Sequence, residues 1–368
     1  MHKTIALLPG DGIGPEVTAA AAQVLQDCAA EFGHRFDLQE FPVGGGAIDS
    51  CGAPLPLETL QACRAADAIL LGAVGGPRWD DLPIGRRPES GLLELRHELG
   101  LAINVRPIRL REPLRGISPL RPRRALHFDF EIVRELAGGI YFGAHECISH
   151  NGSETASDTE TYSTGEIERV ARFSLGRAAS RRGRLASVDK ANVLASSSLW
   201  RRTVARLATE YPQVRTEHLY VDSAALQIIL RPEQFDVLVT SNLFGDILSD
   251  EAAALAGSIG LIPSMSLGNG PALYEPIHGS APTLAGADSA CPLGAIFSAS
   301  LLLRESFGLH DEANWIESAA HRVLARGYRT IDLAEQDSHI VGCSVLTNMI
   351  RAEMSETLVR AEPYGWGV

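Results

Sequence analysis

Residues 235–258, FDVLVTSNLFGDILSDEAAALAGS, contain the pattern that decides the fold class. The short apolar run at 235–242 is typical of a strand that is buried on both faces of a parallel sheet. Residues 246–257 follow it closely and have the alanine-rich composition of a helix. A buried strand that leads straight into a helix is the repeating unit of an α/β fold.

The same alternation continues on both sides of this stretch. Strand-like and helix-like runs follow one another along the 368 residues. This predicts an α/β chain with mainly parallel sheets, arranged as two lobes with a cleft between them. The other predicted strands are 4–9, 68–76, 130–136, 141–146 and 184–192, and the other predicted helices are 17–31, 168–182, 199–211, 292–308 and 314–327.

The bulk composition limits the classes of partner. A net charge of −12 disfavours nucleic acid and anionic membranes as partners. The six cysteines lie far apart and form no CxxC pair, which argues against a zinc site and against a disulfide scaffold. No apolar run approaches the length that spans a bilayer. We therefore expect a cytoplasmic protein that binds neither nucleic acid nor membrane.

Two carboxylates in the opening stretch suggest a metal site. Asp246 and Asp250 are four residues apart, so on a helix they share one face and repel each other unless a cation lies between them. A hard divalent cation with oxygen ligands, Mg²⁺ or Mn²⁺, would resolve this repulsion. Alternatively, both acids simply favour the helix dipole, as the neighbouring Glu251 suggests. A third acid, Asp222, lies in an apolar stretch and needs a partner, a metal or the end of an element.

Lysine is rare in this chain. Lys3 and Lys190 are the only two, although lysine and arginine together number 33. Arginine keeps its proton at any ordinary pH, whereas lysine loses it when it is buried or close to another cation. A site that exchanges protons can therefore use lysine but not arginine, which makes Lys190, in SVDKANVL, a candidate acid/base residue. The alternative is that both lysines are remnants of a biased composition.

A further set of candidates is cationic. Arg96, Arg106 and Arg134 lie in segments where arginines near strand ends could clamp the two carboxylates of a small diacid. In so arginine-rich a chain, the alternative for each one is a solvated surface position. Leu92 and Leu93 precede Arg96 and suggest an apolar wall beside the clamp, although ordinary helix core would have the same pattern.

Two short segments contain loop-forming residues. GDGIGP at 10–15 resembles a dinucleotide fingerprint but lacks the full GxGxxG spacing, so a strand-to-helix turn is the better interpretation of it alone. HGSAP at 278–282 could form a tight loop that offers backbone N–H groups to a nucleotide. Neither segment identifies a cofactor by itself.

Taken together, these segments resemble the decarboxylating β-hydroxyacid dehydrogenases, the isocitrate/isopropylmalate dehydrogenase family. The match follows the family's order from about residue 5 to residue 350. It is most specific in the segments that contain Lys190 and the paired aspartates. The matching motifs are LPGDGIGPEV, GLLELR, NVRP, VRELAGGIYFG, SVDKANVL, NLFGDILSDEAAALAGSIGLIPS and EPIHGSAP.

The resemblance implies a two-domain α/β subunit with the isopropylmalate dehydrogenase-like fold and not a Rossmann dinucleotide fold. The first domain would comprise 1–101 and 257–368, so that it contains both chain ends. The second domain would comprise 102–256 and supply a dimer interface, with an intersubunit arm at about 143–163. Active sites in this family are shared across a homodimer.

The implied reaction is the oxidative decarboxylation of 3-isopropylmalate to 4-methyl-2-oxopentanoate with reduction of NAD, a step of leucine biosynthesis. Lys190 of the partner subunit would take the hydroxyl proton, and Tyr141 would protonate the enolate carbon. The resemblance assigns Mg²⁺ or Mn²⁺ to Asp246, Asp250 and the partner's Asp222, the substrate carboxylates to Arg96, Arg106 and Arg134, and the alkyl group to Leu92, Leu93 and the partner's Val193.

The leucine wall favours an alkyl side chain over isocitrate or homoisocitrate, because an unpaired third carboxylate against Leu92 and Leu93 would be strongly penalised. Three alternatives stay open. They are the same chemistry on another alkylmalate or arylmalate in a specialised pathway, a tartrate- or malate-type enzyme, and a regulatory paralogue without cofactor. Lys190, Tyr141 and the three aspartates argue against the last, since only catalysis needs all five.

The cofactor segment departs from the family pattern. NAD-using members carry an acid directly after HGSAP, and NADP-using members often have Lys and Tyr there, whereas this chain has Thr283 and Leu284. NAD is expected, because no cation has replaced the acid to receive a 2′-phosphate, but use of NADP stays open. Ala137 replaces a threonine that is usual near the substrate clamp. The candidate cofactor-binding residues are Glu89, near the nicotinamide ribose, His278, Gly279, Ser280, Ala281, Pro282, Thr283 and Cys291, which replaces an asparagine near the adenine.

Overall fold

The computed structural model describes residues 1–120 and 127–359 of the chain. Strands and helices alternate along most of this length. In chain order the strands are β1 (His2–Gly10), β2 (Arg35–Glu40), β3 (Ala68–Ala73), β4 (Ile103–Arg109), β5 (Asp129–Glu135), β6 (His145–His150), β7 (Ser153–Asp158), β8 (Arg184–Asp189), β9 (Arg215–Tyr220), β10 (Val237–Thr240), β11 (Pro263–Leu267), β12 (Ala272–Pro276), β13 (Tyr328–Arg329) and β14 (His339–Ile340). The α-helices are α1 (Gly14–Glu31), α2 (Gly45–Cys51), α3 (Leu57–Ala65), α4 (Pro88–Glu98), α5 (Thr164–Ser180), α6 (Ala195–Ala208), α7 (Val221–Leu230), α8 (Asn242–Ala256), α9 (Leu293–Glu305), α10 (His310–Ala325) and α11 (Cys343–Val359).

Ten of the strands form one sheet, in the order β2-β1-β3-β12-β11-β4-β5-β10-β8-β9. Six of its nine neighbouring pairs are parallel. The three antiparallel pairs, β12–β11, β11–β4 and β4–β5, lie together at the centre. The predicted α/β class with mainly parallel pairing is confirmed, and the antiparallel centre is a feature that the sequence patterns did not predict.

The strands of each predicted domain lie side by side in the sheet. The five strands from 1–101 and 257–368 occupy one half of the sheet, and the five from 102–256 occupy the other, with β11 and β4 in contact between them. The sheet therefore runs unbroken across the expected border of the two domains. The division into two domains stays a prediction.

The central strands are buried on both faces. In β1, Ile5 and Leu7 belong to one apolar cluster, while Ala6 and Leu8 belong to a second cluster on the other side. Successive side chains of a strand point to opposite faces, so a continuous apolar run is what a strand covered on both sides requires. No helix in 1–120 or 127–359 is both long and apolar enough to cross a bilayer.

The polar region after β5 differs from its prediction. Residues 141–144 form a turn and not the start of a strand, and β6 begins only at His145. Gly139 in the GGI turn has a φ of +79°, a left-handed conformation that ends the extended chain. β6 and β7 then form an antiparallel hairpin whose residues are all exposed.

A close approach between α8 and β5 positions the first turns of α8. A Cβ atom on Gly245 would lie 2.7 Å from both Cβ and Cγ of Arg134. Gly176, in α5, has no such neighbour within 4 Å. We expect Gly245→Ala to lower the free energy of unfolding by about 1–3 kcal/mol through overpacking.

The matched control is Gly176→Ala, which should raise the free energy of unfolding by roughly 0.5–1 kcal/mol, because glycine is unfavourable inside a helix. Urea denaturation of the two variants and the parent protein measures both changes. Equal effects of the two substitutions would contradict the close approach at Gly245.

Candidate active site

The first turns of α8 lie at the carboxyl end of β10, next to the carboxyl end of β5. Thr240, the last residue of β10, pairs with Arg134 in the parallel neighbour β5, and α8 begins two residues later at Asn242. Asn104, in the antiparallel strand β4, also pairs with Arg134. Ligands of open α/β sheets bind at such carboxyl ends, so this edge is where the predicted site residues should meet.

Two buried arginines converge on Asp246. Arg134 Nη1 donates to Asp246 Oδ1 at 2.5 Å, and Arg106 Nη2 donates to the same oxygen at 3.2 Å. Arg134 Nε is held by Asn242 Oδ1 at 2.9 Å, and Arg106 Nη1 is held by Ser249 Oγ at 2.6 Å. One carboxylate therefore accepts hydrogen bonds from two guanidinium groups, which are the side chains that bind carboxylate and phosphate most strongly.

A third arginine comes from α4. Arg96 is buried and its Nη2 donates to Glu275 Oε1, in β12, at 2.8 Å. Burial, together with the nearby Arg106 and Arg96 cations, lowers the pKa of Arg134 to about 10. Burial also lowers the pKa of Arg106, and Arg96 contributes to that shift. The three guanidinium charges thus act on one another, so the three cations lie close together.

Tyr141 joins this group from the turn after β5. Its hydroxyl donates to Asp246 Oδ2 at 2.8 Å, and the Arg134 guanidinium carbon lies 5.4 Å from its ring centroid. Burial, followed by the hydrogen bond to Asp246 and the charge of Asp246, raises the pKa of Tyr141. The phenol is therefore held in its protonated form, which is the form that donates a proton.

The pKa values of the paired carboxylates shift in opposite directions. Burial alone would raise the pKa of Asp246, but Arg134 and Arg106 outweigh it and lower the pKa. Burial raises the pKa of Asp250, which lies 3.5 Å from Arg106 Nη1. Two carboxylates one helical turn apart are suitable oxygen ligands for Mg²⁺ or Mn²⁺. Within the described part of one chain, no third His, Cys, Asp or Glu side chain completes a metal-binding group with them.

The three-membered group of possible metal ligands in the described residues lies elsewhere and consists of Glu16, Asp288 and Cys343. The Asp288 carboxylate already accepts hydrogen bonds from the backbone N–H and the hydroxyl of Ser344, at 2.7 Å each. Burial raises the pKa of the Cys343 thiol to about 12. Asp288 therefore caps the start of α11, and the thiol is protonated at neutral pH.

Lys190 and Asp222 form a separate pair at the neighbouring edge of the sheet. Lys190 Nζ donates to Asp222 Oδ1 at 2.6 Å, where β8 ends and α7 begins. Within 1–120 and 127–359 no hydrogen bond or ion pair joins this pair to Asp246 or Tyr141. The Asp222 side chain is 68% exposed, and Val193, three residues after Lys190, is 69% exposed. The predicted catalytic and metal-binding residues thus fall into two groups within one chain.

The two glycine-containing loops of the predicted cofactor site lie in contact. The Ile13 N–H donates to the Ser280 carbonyl at 2.8 Å. Gly12 has a φ of +60°, and a Cβ there would lie 1.9 Å from the same carbonyl oxygen, so only glycine fits. A Cβ on Gly75, which follows β3, would lie 2.5 Å from Glu89 Oε1. The turn before α1, the end of β3 and the HGSAP loop therefore surround one region beside Glu89.

The HGSAP loop has an unsatisfied polar atom. His278 is buried, its Nδ1 lies 2.8 Å from the Gly279 carbonyl oxygen, and its Nε2 has no hydrogen-bond partner. Burial lowers the pKa of His278, so the ring is neutral. A polar group of a bound ligand could pair with this buried nitrogen. Thr283 is exposed at the loop's surface, whereas Cys291 is buried beside Gly260.

Several residues of the site were not among the sequence candidates. Asn242 and Asn104 hold the two arginines that converge on Asp246, and Glu275 pairs with Arg96. Asp11, in the GDGIGP turn, accepts backbone N–H bonds from Gly45, Gly46 and Gly75. The signal was present for each, because all four lie inside a motif that matches the family.

Comparison with known proteins agrees with this geometry. Residues 4–350 match the family model described as isocitrate/isopropylmalate dehydrogenase. The chain belongs to this family. The match covers both groups of candidate residues and all the strands of the large sheet, so it is not confined to one motif.

Relatives of this chain include two bacterial proteins named 3-isopropylmalate dehydrogenase. The protein from Bacillus licheniformis is 53% identical over 359 residues, which is 97% of either chain. The protein from Nitratidesulfovibrio vulgaris is 52% identical over 95% of this chain and 99% of its own. Among solved structures, an isocitrate dehydrogenase from Methylococcus capsulatus has a TM-score of 0.87 at 33% identity, covering 96% of this chain and 99% of that chain.

The amide of Asn242 should be essential for the stability of the arginine cluster. Its Oδ1 accepts from Arg134, its Nδ2 donates to the Gly138 carbonyl at 3.0 Å, and the residue is fully buried. Asn242→Ala leaves a buried cation and a buried carbonyl without these partners. We expect the free energy of unfolding, measured in urea, to fall by about 1–3 kcal/mol or more.

Asn348→Ala is the control, because Asn348 Oδ1 also accepts from an arginine, Arg351, but at an exposed position. It should change the free energy of unfolding by no more than about 0.5 kcal/mol. If the two alanine variants are equally stable, the amide of Asn242 does not hold Arg134.

Proposed function

We propose that this chain catalyses the NAD-dependent oxidative decarboxylation of 3-isopropylmalate to 4-methyl-2-oxopentanoate, a step of leucine biosynthesis. The observation that carries the proposal is the convergence of Arg106, Arg134 and Tyr141 on Asp246. This arrangement combines anion binding, a protonated phenol and a carboxylate in one place. The relatives at more than 50% identity that are named 3-isopropylmalate dehydrogenase support the same substrate.

The proposed substrate site combines three cations with an apolar wall. Arg96, Arg106 and Arg134 would hold the two carboxylates of the malate by charge-assisted hydrogen bonds. Leu92 and Leu93 lie one turn before Arg96 on α4 and are half-buried, so they leave apolar surface for an alkyl group. Isocitrate would place its third carboxylate against that surface without a partner, which is unfavourable.

In the proposed mechanism, proton transfers are made by two side chains. Lys190 of the partner subunit accepts the proton of the 2-hydroxyl group, and Tyr141 donates a proton to the carbon that loses CO₂. Asp246, Asp250 and the partner's Asp222 would hold Mg²⁺ or Mn²⁺, and Glu89 and the HGSAP loop would bind NAD. When bound, NAD provides the hydride acceptor and the metal provides a Lewis acid at the hydroxyl and keto oxygens.

We infer a homodimer with shared active sites, because the proposed catalytic and metal-binding residues form two separate groups within one chain. Lys190 and Asp222 are separated from Asp246 in one chain, and Asp246 and Asp250 need a third ligand there. α7 exposes Leu226, Ile229 and Leu230, an apolar surface of the kind that marks a contact between subunits. The exposed β6–β7 hairpin would be the intersubunit arm of the second domain. Six unpaired cysteines are in keeping with a cytoplasmic enzyme.

Turnover tests the proposal directly. With Mg²⁺ or Mn²⁺, we expect 3-isopropylmalate to reduce NAD faster than NADP, and isocitrate and malate to give little turnover, as followed by reduced-cofactor absorbance. EDTA should abolish the activity. Lys190→Met should lower kcat by about 10²–10⁴-fold, because it removes a general base. KM should change much less, since the arginines that bind the carboxylates are untouched.

Lys3→Met is the matched control, since Lys3 is the other lysine and pairs with Asp67 at the surface. It should leave kcat unchanged. Turnover of a different alkylmalate or arylmalate in preference to 3-isopropylmalate would reassign the substrate. Failure to bind either NAD or NADP, measured by calorimetry, would contradict the enzyme assignment and favour a regulatory paralogue.

The hairpin provides an independent test of the dimer. Cys147, in β6, and Cys51, at the end of α2, are both exposed in the single chain. If the hairpin is the intersubunit arm, a maleimide should label Cys51 quickly and Cys147 at least about tenfold more slowly, because assembly covers the arm. Mass spectrometry of the labelled peptides gives both rates.

The buried thiols serve as the internal reference for this experiment. Burial raises the pKa values of Cys28 and Cys63 to about 12, so they should react only after denaturation. Equal labelling of Cys147 and Cys51 in the native protein would show that the hairpin is free and would argue against the arm.

A further inference from the structure

A cavity of about 290 Å³ lies on the other face of the sheet from the Arg106–Arg134 cluster. Arg109 and Glu131, which line it, are each three residues from Arg106 and Arg134 in the same strands, and an odd separation in a strand places side chains on opposite faces. The remaining walls come from α5, α9, α10, Arg111 and the segment 261–263 at the start of β11. The volume is close to the lower limit of small-molecule sites.

The carboxylates that line the cavity already have arginine partners. Glu131 accepts from Arg177 Nε at 2.8 Å and from Arg181 Nη1 at 3.2 Å. Glu305 accepts from Arg177 Nη2 at 2.9 Å. The third acid, Glu317, accepts from Arg304 Nη2 at 2.8 Å and also lies 3.7 Å from Arg109 Nη1. Arg109 and Arg181 also pair with Asp129, and Arg181 pairs with Asp236. Four of the five arginines that line the cavity therefore have a carboxylate partner.

Arg111 is the arginine whose charge is not neutralised by a direct contact. Its guanidinium lies 3.6 Å from the centroid of the Phe297 ring, and within the described residues its side chain makes no hydrogen bond or ion pair with a carboxylate. Burial lowers the pKa of Arg111 to about 10. Arg111 is only partly buried and the charge of Glu317 opposes the shift. A direct anionic partner would stabilise this cation further, and the open space beside Arg111 is the cavity.

We propose that this cavity binds a small oxyanion with two or more negative charges, held by Arg111 and Arg304 above an apolar floor of Phe297 and Leu301. Guanidinium groups bind carboxylate and phosphate in the same bidentate way, so polycarboxylates and pyrophosphate share this chemistry. The site is distinct from the proposed active site, since the sheet separates the two.

An anion in this cavity would link helices of the two chain segments that form the two halves of the sheet. The cavity lies between α5, from 102–256, and α9 and α10, from 257–368. The pairs Arg177–Glu305 and Arg109–Glu317 already cross this boundary. An anion that joins Arg111 to Arg304 adds a third link across it, and the folded protein therefore becomes more stable as the concentration of the anion rises.

The test is calorimetric titration of the full chain with citrate and with pyrophosphate at fixed ionic strength, supported by the shift in Tm. We expect at least one of the two anions to bind the parent protein, and Arg111→Gln to weaken that binding by at least about tenfold. Asn314→Asp adds a negative charge at the rim without removing a partner of Arg304, and it should also weaken binding. Arg172→Gln, on α5 but outside the cavity, is the control and should bind as the parent does.

The outcomes separate the sources of the anion. Binding of pyrophosphate alone identifies a phosphate-type ligand, and binding of citrate alone identifies a polycarboxylate. Binding that Arg111→Gln and Asn314→Asp leave unchanged would place the anion elsewhere, such as at Arg106 and Arg134, and would overturn the proposal. Absence of binding by both anions would overturn it as well. Turnover of 3-isopropylmalate by Arg111→Gln without added anion shows independently whether the proposed function holds.

Discussion

The buried guanidinium of Arg134 is the constraint on which the rest of the site depends. A desolvated cation must be paired, and its partners Asn242 and Asp246 both come from the first two turns of α8. Those two bonds fix where α8 begins and how it is rotated against β5. Gly245 lies between the two partners and allows the approach. Asp250, Ser249 and the hydroxyl of Tyr141 are then placed by the same helix.

Much of the fold could be predicted because the central strands are buried on both faces. A strand such as β3 has no polar position, so its apolar run is visible in the sequence without any periodicity. β11 and β12, PSMSL and ALYEP, were not predicted. Both strands are short, combine polar with apolar residues, and begin or end with proline. Their place in the sheet depends on pairing with β3 and β4, which are distant in sequence, and no local pattern encodes that pairing.

In the candidate site, too, local features could be predicted from the sequence and contacts between distant segments could not. The spacing of Asp246 and Asp250 on one helix is local, and the sequence predicts that they share a face. The meeting of Arg96 with Glu275 is not local, because it needs α4 and β12 to be brought together across 179 positions of the chain. Lys190 follows β8, the direct neighbour of β10, yet it pairs with Asp222 beyond the edge strand β9 and not with Asp246. Resemblance to a family assigned roles to these residues, but only the side-chain contacts of the structure divide them into two groups.

The two faces of β4 and β5 connect the proposed active site with the cavity behind it. Alternate side chains of a strand point in opposite directions, so the strand that presents Arg106 to α8 presents Arg109 to α10, and the strand that presents Arg134 to α8 presents Glu131 to α5. Each strand is thus held by ion pairs on both sides. The same backbone therefore positions the arginines in front of the sheet and the ion pairs behind it. The two proposed sites share β4 and β5 as a common wall.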